Sequence, residues 1–451
     1  MVTKIDQERF VGFRVRRKRT TEGEARPTMA CVLSGSKKKS YKLDDDDAEL
    51  DWVRGVFPIK MRKVERDEDL SKFAAHHVKW RKLKKTEKAS DFPTNLLRSV
   101  GKQFFVATKV PASYEGLQPG DVVGMVLGGS GDLFASALSR RSEDIGADVF
   151  RIAPFKLKDL RPKDKEEDAE NLALLVRDRV EEFQRMTPRD RKMIRVRELL
   201  RLRTFAMKDR IGCEQRLLQS MNGRVFCSED GHYPEGSLKL QFEELKASDI
   251  IVQSMTKEEA RYKRELTKAV EAMDVYQELF GPIKGVGPMI AARLICAIQD
   301  VRRFEDHIDA ATGKLRQGKA KLKSFCGAAP RQGGVFGDQP FEKQFPRRRH
   351  GSVANWHPEA RQALYLLGDQ FNRRPETKWG RKLLEYKAKL RKKYPEPVVV
   401  TNAKGKEIKR FTDGHIHRMA TWKTLSKFVE WLWTEWTALE KRVALSQREA
   451  A

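Results

Sequence analysis

The run Phe280-Gly281-Pro282-Ile283-Lys284-Gly285-Val286-Gly287-Pro288-Met289-Ile290-Ala291-Ala292-Arg293-Leu294 has the residue types and spacing to hold a phosphodiester. Gly285 and Gly287 permit positive φ and let the backbone come close to a phosphate oxygen. Val286 between them points inward and fixes the turn. Pro288 opens a helix whose first N–H groups and positive dipole end face an anion. Ala291 is small where two helices touch, and Leu294 closes their core. The pattern predicts a helix-hairpin-helix, which grips backbone without reading bases. Lys284, Gly285, Val286, Gly287, Met289 and Arg293 are its candidate DNA-contacting residues. A tight helix–helix turn without a ligand is the other reading of the same residues.

Charge favours the phosphate. The chain has 451 residues and a formal net charge of +27, which points to a polyanionic partner. From Phe341 to Glu430 there are 22 Lys or Arg against 9 Asp or Glu. Arg347-Arg348-Arg349-His350 and Lys387-Ala388-Lys389-Leu390-Arg391-Lys392-Lys393 are the densest parts, so Arg347, Arg348 and Arg349 join the candidate contacts. Binding through such residues falls steeply with salt.

Other reactive side chains point less far. His415-Ile416-His417 beside Asp413 would put two imidazoles on one face if extended, a minimal start for a metal site. Trp356-His357-Pro358 reads as a helix cap. The five cysteines form no Cys-x-x-Cys pair, which suits a reduced cytosol and a cytoplasmic protein. No run of 18 apolar residues occurs, and Met1 to Phe10 holds no apolar core, so neither a membrane span nor a signal peptide is expected.

The elements that must position these residues fall into three parts. Short apolar runs predict strands at Phe10–Arg17, Thr28–Leu33, Gln103–Val110, Val122–Gly128 and Asp148–Ala153. Between the second and third lies a charged stretch from Asp44 to Asp91, read as a solvated helix pair with loops or as an arm touching nucleic acid. Thr187-Pro188-Arg189-Asp190 is a helix start. Val196, Leu200, Met207, Ile211 and Leu218 then form one stripe. Glycine and proline break it between Asn222 and Ser237. Thr256-Lys257-Glu258-Glu259 has the form of a capping box for a second helix, with Tyr262, Leu266, Ala269, Met273, Tyr276 and Phe280 following. Two such helices read as a coiled-coil arm, suited to homo-oligomers, or as two ordinary packed helices. Trp422, Leu425, Val429, Leu432, Trp436, Leu439 and Val443 form a last stripe, read as core or as a dimer face.

Two blocks of the chain resemble the DEDD-type insertion-sequence transposases that include the Piv-type invertases. The later block runs from Gly281 to Pro330, through Ile298-Gln299-Asp300-Val301-Arg302-Arg303-Phe304 and Lys323-Ser324-Phe325-Cys326-Gly327-Ala328-Ala329-Pro330, and Asp413-Gly414-His415-Ile416-His417-Arg418-Met419-Ala420 matches a late motif. The earlier block runs from Val123 to Met221, with Ser130-Gly131, Lys163 to Ala169 and Arg197-Glu198-Leu199-Leu200-Arg201-Leu202-Arg203. Together they follow the family's order along the chain. The resemblance implies an α/β RuvC/RNase H-like domain at 8–186, a helical coiled-coil arm at 187–279, and a mainly α helix-hairpin-helix domain at 280–445. It also implies four carboxylates that bind two divalent metals, Mg²⁺ among them, and a serine that attacks DNA. Several members are guided by a structured RNA, so the resemblance implies DNA as a partner and a structured RNA as a second one.

The expected acids are mostly replaced. Arg14 stands where the first belongs, Gly128 where the second does and Lys165 where the third does. Asp168 matches the fourth, and Asp164 could serve after a one-residue slip. Gln332-Gly333-Gly334 replaces the serine region, with Ser352 the nearest later serine. Asp168, Asp164 and Ser352 are therefore the candidate catalytic residues, and Asp164 and Asp168 the candidate metal ligands. A rebuilt site could also draw on Asp121 or Asp132. Two functions follow as expectations: a DNA-binding transposase or recombinase, or a catalytically inactive nucleic-acid-binding protein of transposase descent.

Overall fold

The computed structural model describes residues 8–15, 26–160, 167–231, 233–308, 313–330, 335–336, 339–340, 345–346, 354–401, 405 and 407–449. The fold is mixed α/β. Along the chain it divides into two compact units between Arg191 and Lys192.

The first unit opens with three antiparallel strands, β1 (Arg9–Arg14), β2 (Thr28–Ser34) and β3 (Lys37–Leu43). Helix α1 (Asp46–Arg54) follows. The acidic run at Asp44 to Asp47 leads into its first turn: Asp45 accepts from Ala48 N–H at 2.8 Å, and Asp46, Asp47 and Glu49 face the positive end of the dipole. Strands β4 (Phe57–Lys63), β5 (Lys79–Lys82) and β6 (Leu97–Val100) all pair with the long β7 (Gln103–Glu115). The expected solvated helix pair across Asp44 to Asp91 is thus a helix followed by part of an inserted antiparallel sheet. Its strands carry charge on their open face, and pairing with β7 rather than local hydrophobicity makes them strands.

The main sheet resumes with β8 (Val122–Val126), α2 (Asp132–Ile145), β9 (Asp148–Ile152), α3 (Pro154–Leu160), α4 (Asp168–Asp178) and the two-residue β10 (Gln184–Arg185). Its order is β10-β9-β8-β1-β2-β3, with β8 parallel to both β1 and β9. Alternation along β1 separates the two faces. Phe13 meets Trp52 of α1 and Phe134 of α2 at ring distances of 5.7 and 5.0 Å. Gly12 turns the other way, where a β-carbon would overlap the Ala169 carbonyl oxygen of α4. At Gly124 of β8 an added β-carbon would stand only 2.8 Å from the Leu172 carbonyl oxygen. Glycine at both places lets α4 lie directly on the sheet.

The second unit is mainly helical. Its first helix, α5 (Pro188–Phe226), has its first turn in the first unit. Helices α6 (Leu238–Ser248) and α7 (Ile250–Glu271) follow the expected break. α7 runs antiparallel to α5, joined by Arg203–Glu259 and Arg210–Glu259, both at 2.8 Å, and by Arg195–Glu265 at 3.7 Å. α7 starts earlier than the capping box suggests. Asp249 accepts from Val252 N–H at 2.8 Å, while Thr256 donates back to the Val252 carbonyl at 2.8 Å, in mid-helix. Val196 and Leu199 of α5 and Leu266 and Val270 of α7 share one core with the helices that follow.

Those helices are α8 (Pro288–Ile298), α9 (Gly318–Phe325), α10 (Pro358–Arg373), α11 (Lys378–Lys393) and α12 (Asp413–Glu449). The expected apolar stripe of α12 is core, with Leu425, Val429, Leu432, Trp436 and Leu439 all buried. His357 caps α10, its Nδ1 accepting from Ala360 N–H at 3.4 Å, and Pro358 takes the first helical position. All five cysteines are free; burial pushes the Cys296 and Cys326 thiols up to about 12. No helix among the described residues is long and apolar enough to cross a membrane.

Candidate nucleic-acid interface and the carboxyl edge of the sheet

In the second unit, the π-helical turn Tyr276–Phe280 closes with Gly281 N–H donating to the Tyr276 carbonyl at 2.7 Å. The next turns are tight: Ile283 N–H reaches Phe280 O at 3.0 Å, and Val286 N–H reaches Ile283 O at 2.9 Å. Gly285 sits at φ +96°, the left-handed region that favours glycine. Gly287 ends the turn extended and faces open space, and Pro288 starts α8. Val286 is 4% exposed among the core residues, and Ala291, Ala292 and Leu294 are wholly buried. The chain thus makes a tight turn between the π-helical segment and α8, with Gly285 left-handed as expected but Gly287 extended at φ −79°.

Its surroundings are cationic. A β-carbon at Gly285 would stand 3.0 Å from the Arg374 side chain, so this guanidinium lies beside the turn. Arg374 is steadied by Gln370 at 2.5 Å. Lys284 is exposed and has only a loose pair with Glu376, at 3.6 Å. Arg374 was missed in the sequence because it is 89 positions from Gly285 and lies just past α10.

The candidate contacts divide accordingly. Lys284, Gly285 and Gly287 line the accessible tip. Val286 is the correction: its buried side chain supports the turn and cannot touch a ligand. Met289 packs partly on the core. Arg293 is half-buried one turn into α8, and its Nη1 is buried without a hydrogen-bond partner. Arg347, Arg348 and Arg349 lie outside the described residues.

In the first unit, two of the positions singled out for chemistry stand at the carboxyl ends of β1 and β8. Arg14 is the last residue of β1, and Val15 beyond it would lie 3.0 Å from a β-carbon on Gly131. Gly128, at φ +85°, begins the Gly129–Gly131 turn after β8. Asp168 starts α4, one residue before the Ala169 that rests on Gly12. Asp164 and Ser352 lie outside the described residues.

Arginine occupies this edge. Arg151 of β9 is buried between Asp132, at 3.6 Å, and Asp190, at 3.2 Å. Asp190 also caps α5, accepting from Thr187 N–H at 2.8 Å and from the Thr187 hydroxyl at 2.7 Å. Asp121 is no partner for these residues. It precedes β8 while Asp132 follows it, so the strand's five residues separate them by roughly 16 Å. There Asp121 meets Arg9 at 2.9 Å, and Arg9 meets Glu115 at 3.0 Å. Burial, opposed by Arg9, pushes the Asp121 carboxyl up to about 6. Tyr41 donates to Glu115 at 2.9 Å; burial and that carboxylate push its phenol up to about 12.

Among the described residues, Asp51, His76 and His77 are the one group of three metal-ligating side chains with converging donors. Asp168 belongs to no such group there. The reading of His415 and His417 as ligands fails on geometry. Both lie in α12 two positions apart, on different faces. His415 Nδ1 accepts from Phe411 N–H at 3.0 Å, and Asp413 is paired with Arg391. No protein-family model matches the chain, and no curated protein matches it in sequence.

Proposed function

We propose that the chain is a DNA-binding protein of transposase type that grips the phosphodiester backbone through a helix-hairpin-helix. The observation that carries this reading is the hairpin itself. It combines left-handed Gly285, open Gly287, the Pro288-led start of α8, exposed Lys284 and the neighbouring Arg374. Backbone N–H groups at a helix start, with cations beside them, suit a phosphate. The net charge of +27 suits the same partner.

Transposase descent is supported by the first unit. The resemblance requires its four acid positions to meet. Arg14 and Gly128, which stand at two of them, lie at the carboxyl ends of the parallel neighbours β1 and β8 of a mixed sheet, in keeping with a RuvC/RNase H-like domain. The antiparallel pair α5 and α7 is in keeping with a coiled-coil arm, and its exposed sides with a homo-oligomer.

The test is fluorescence anisotropy of the full chain with a short random-sequence DNA duplex. Expected is salt-sensitive binding that weakens steeply between about 0.05 and 0.2 M salt. Lack of binding at the lower salt would sink the proposal. Structured RNA added as a competitor shows whether RNA shares the surface.

A second reading, a non-catalytic descendant, is favoured by the arginines. Arg14 replaces an acid, and Arg151 occupies Asp132 and Asp190. Cations at such an edge oppose Mg²⁺ binding. Strand transfer with Mg²⁺ that is abolished by Asp168→Ala would overturn this reading and restore the recombinase.

A further inference from the structure

We propose that Asp51, His76 and His77 hold a divalent transition-metal ion of the zinc class, which clasps α1 to the turn before β5 of the inserted sheet. The donors come from two elements. Asp51 is in the last turns of α1 and is buried, as are its neighbours Trp52 and Val53. His77 is set by a turn in which its N–H reaches the Ala74 carbonyl at 2.9 Å, and the next residue, Val78, anchors in the core of the inserted sheet. Both Nε2 atoms converge on one oxygen, Asp51 Oδ2: His76 at 2.9 Å and His77 at 2.6 Å. A tetrahedral ion with bonds of about 2.1 Å spaces its donors roughly 3.4 Å apart. Opening the cluster by less than about 1 Å therefore admits the ion.

Electrostatics favours occupancy. Asp51 is 3% exposed, and burying a carboxylate is costly without strong compensation. The permanent cation paired with it among the described residues is Arg54, at 3.8 Å and mostly exposed. The imidazole rings lie 4.2 Å apart, so two protonated rings would repel. A dication between the three donors neutralises the acid and needs both imidazoles uncharged. His77 Nδ1 is buried with no hydrogen-bond partner, so the ring's polar anchoring is all on the Nε2 side. Two imidazoles and a carboxylate suit zinc, whereas Mg²⁺ prefers an all-oxygen shell. His76 is 44% exposed, which leaves a fourth position open to solvent on its side. This site is independent of the DNA-binding proposal.

The test uses the full chain, stripped with chelator, dialysed against Zn²⁺ and assayed for metal by mass spectrometry. One zinc per chain is expected, with no retention of Mg²⁺. With Co²⁺ the visible bands of a tetrahedral nitrogen–oxygen site are expected, without thiolate charge transfer. His76→Ala changes an exposed ligand, so the fold, followed by circular dichroism, persists while zinc affinity falls by about tenfold or more. Failure of the wild-type chain to retain zinc would overturn the proposal. So would equal retention by the variant, or thiolate bands that assign the metal to cysteines.

Discussion

The carboxyl edge of the first unit's sheet and the hairpin of the second unit both gather arginine beside glycine, yet they do opposite things with it. At the sheet edge, Arg151 is buried between Asp132 and Asp190, and its charge is spent inside the protein. At the hairpin, Arg374 stands beside Gly285, and Lys284 is exposed with a loose partner. The glycines differ in the same way. Gly12 and Gly124 make room for a helix, whereas Gly285 and Gly287 make a turn with an open side. The difference teaches that cation content alone does not mark a binding surface. What marks it is whether the cation's partner is already in the fold.

Changes at the edge should therefore move stability, and changes at the hairpin should move binding. The largest effect is expected for Asp190→Ala. It takes away one of the two carboxylates on buried Arg151 and the cap of α5, at a cost of about 3–5 kcal/mol. Faster amide exchange in β8 and β9, with unchanged duplex affinity, checks it. Gly12→Val is next. Its side chain must displace α4 from the sheet, costing about 3 kcal/mol in urea unfolding. An unshifted midpoint would show that α4 does not rest on the sheet as described.

Asp121 supplies a pH signature at the opposite edge. Its carboxyl is raised to about 6 by burial. A group raised in the folded state binds its proton more tightly there than in the unfolded chain. Its contribution is thus fully present below about pH 4 and is lost as pH rises through about 6. Relative to Asp121→Asn, the wild type should lose about 2–3 kcal/mol between these values. Urea unfolding of both proteins across this range reads it, and a constant difference would refute it.

The smallest free-energy change is expected at the hairpin. Gly285→Val strains the left-handed turn and pushes on Arg374, weakening duplex binding by about tenfold, or about 1.4 kcal/mol. Lys284→Ala with Arg374→Ala should flatten the logarithmic salt dependence by about 0.9 for each phosphate that is no longer neutralised. Neither change should alter unfolding of the first unit. If Gly285→Val leaves affinity untouched, the hairpin is only a structural turn.

Much of this was legible along the chain because it is local. The turn is coded within fifteen residues by left-handed Gly285, inward Val286 and Pro288 at the helix start. The α12 stripe and the cap at Thr187 are likewise short-range. The inserted sheet was not legible. Lys79-Trp80-Arg81-Lys82 becomes a strand only by pairing with β7, more than twenty residues later. The α7 start is not fixed by local sequence, because Asp249 and Thr256 both suit a cap, and only the helix's path decides between them.

The sequence by itself determined a strongly basic chain, read in three parts as α/β strands followed by two helical stretches with a glycine–proline turn, because net charge, strand alternation and glycine placement act within a few residues. Tertiary structure decided which charges remain available. It placed Arg374 beside Gly285, gave Arg151 to Asp132 and Asp190, parted Asp121 from Asp132 by a strand, and brought His76 and His77 to Asp51. Those outcomes depend on pairings across tens of residues, where burial and Coulomb attraction act only once the backbone has brought the groups together.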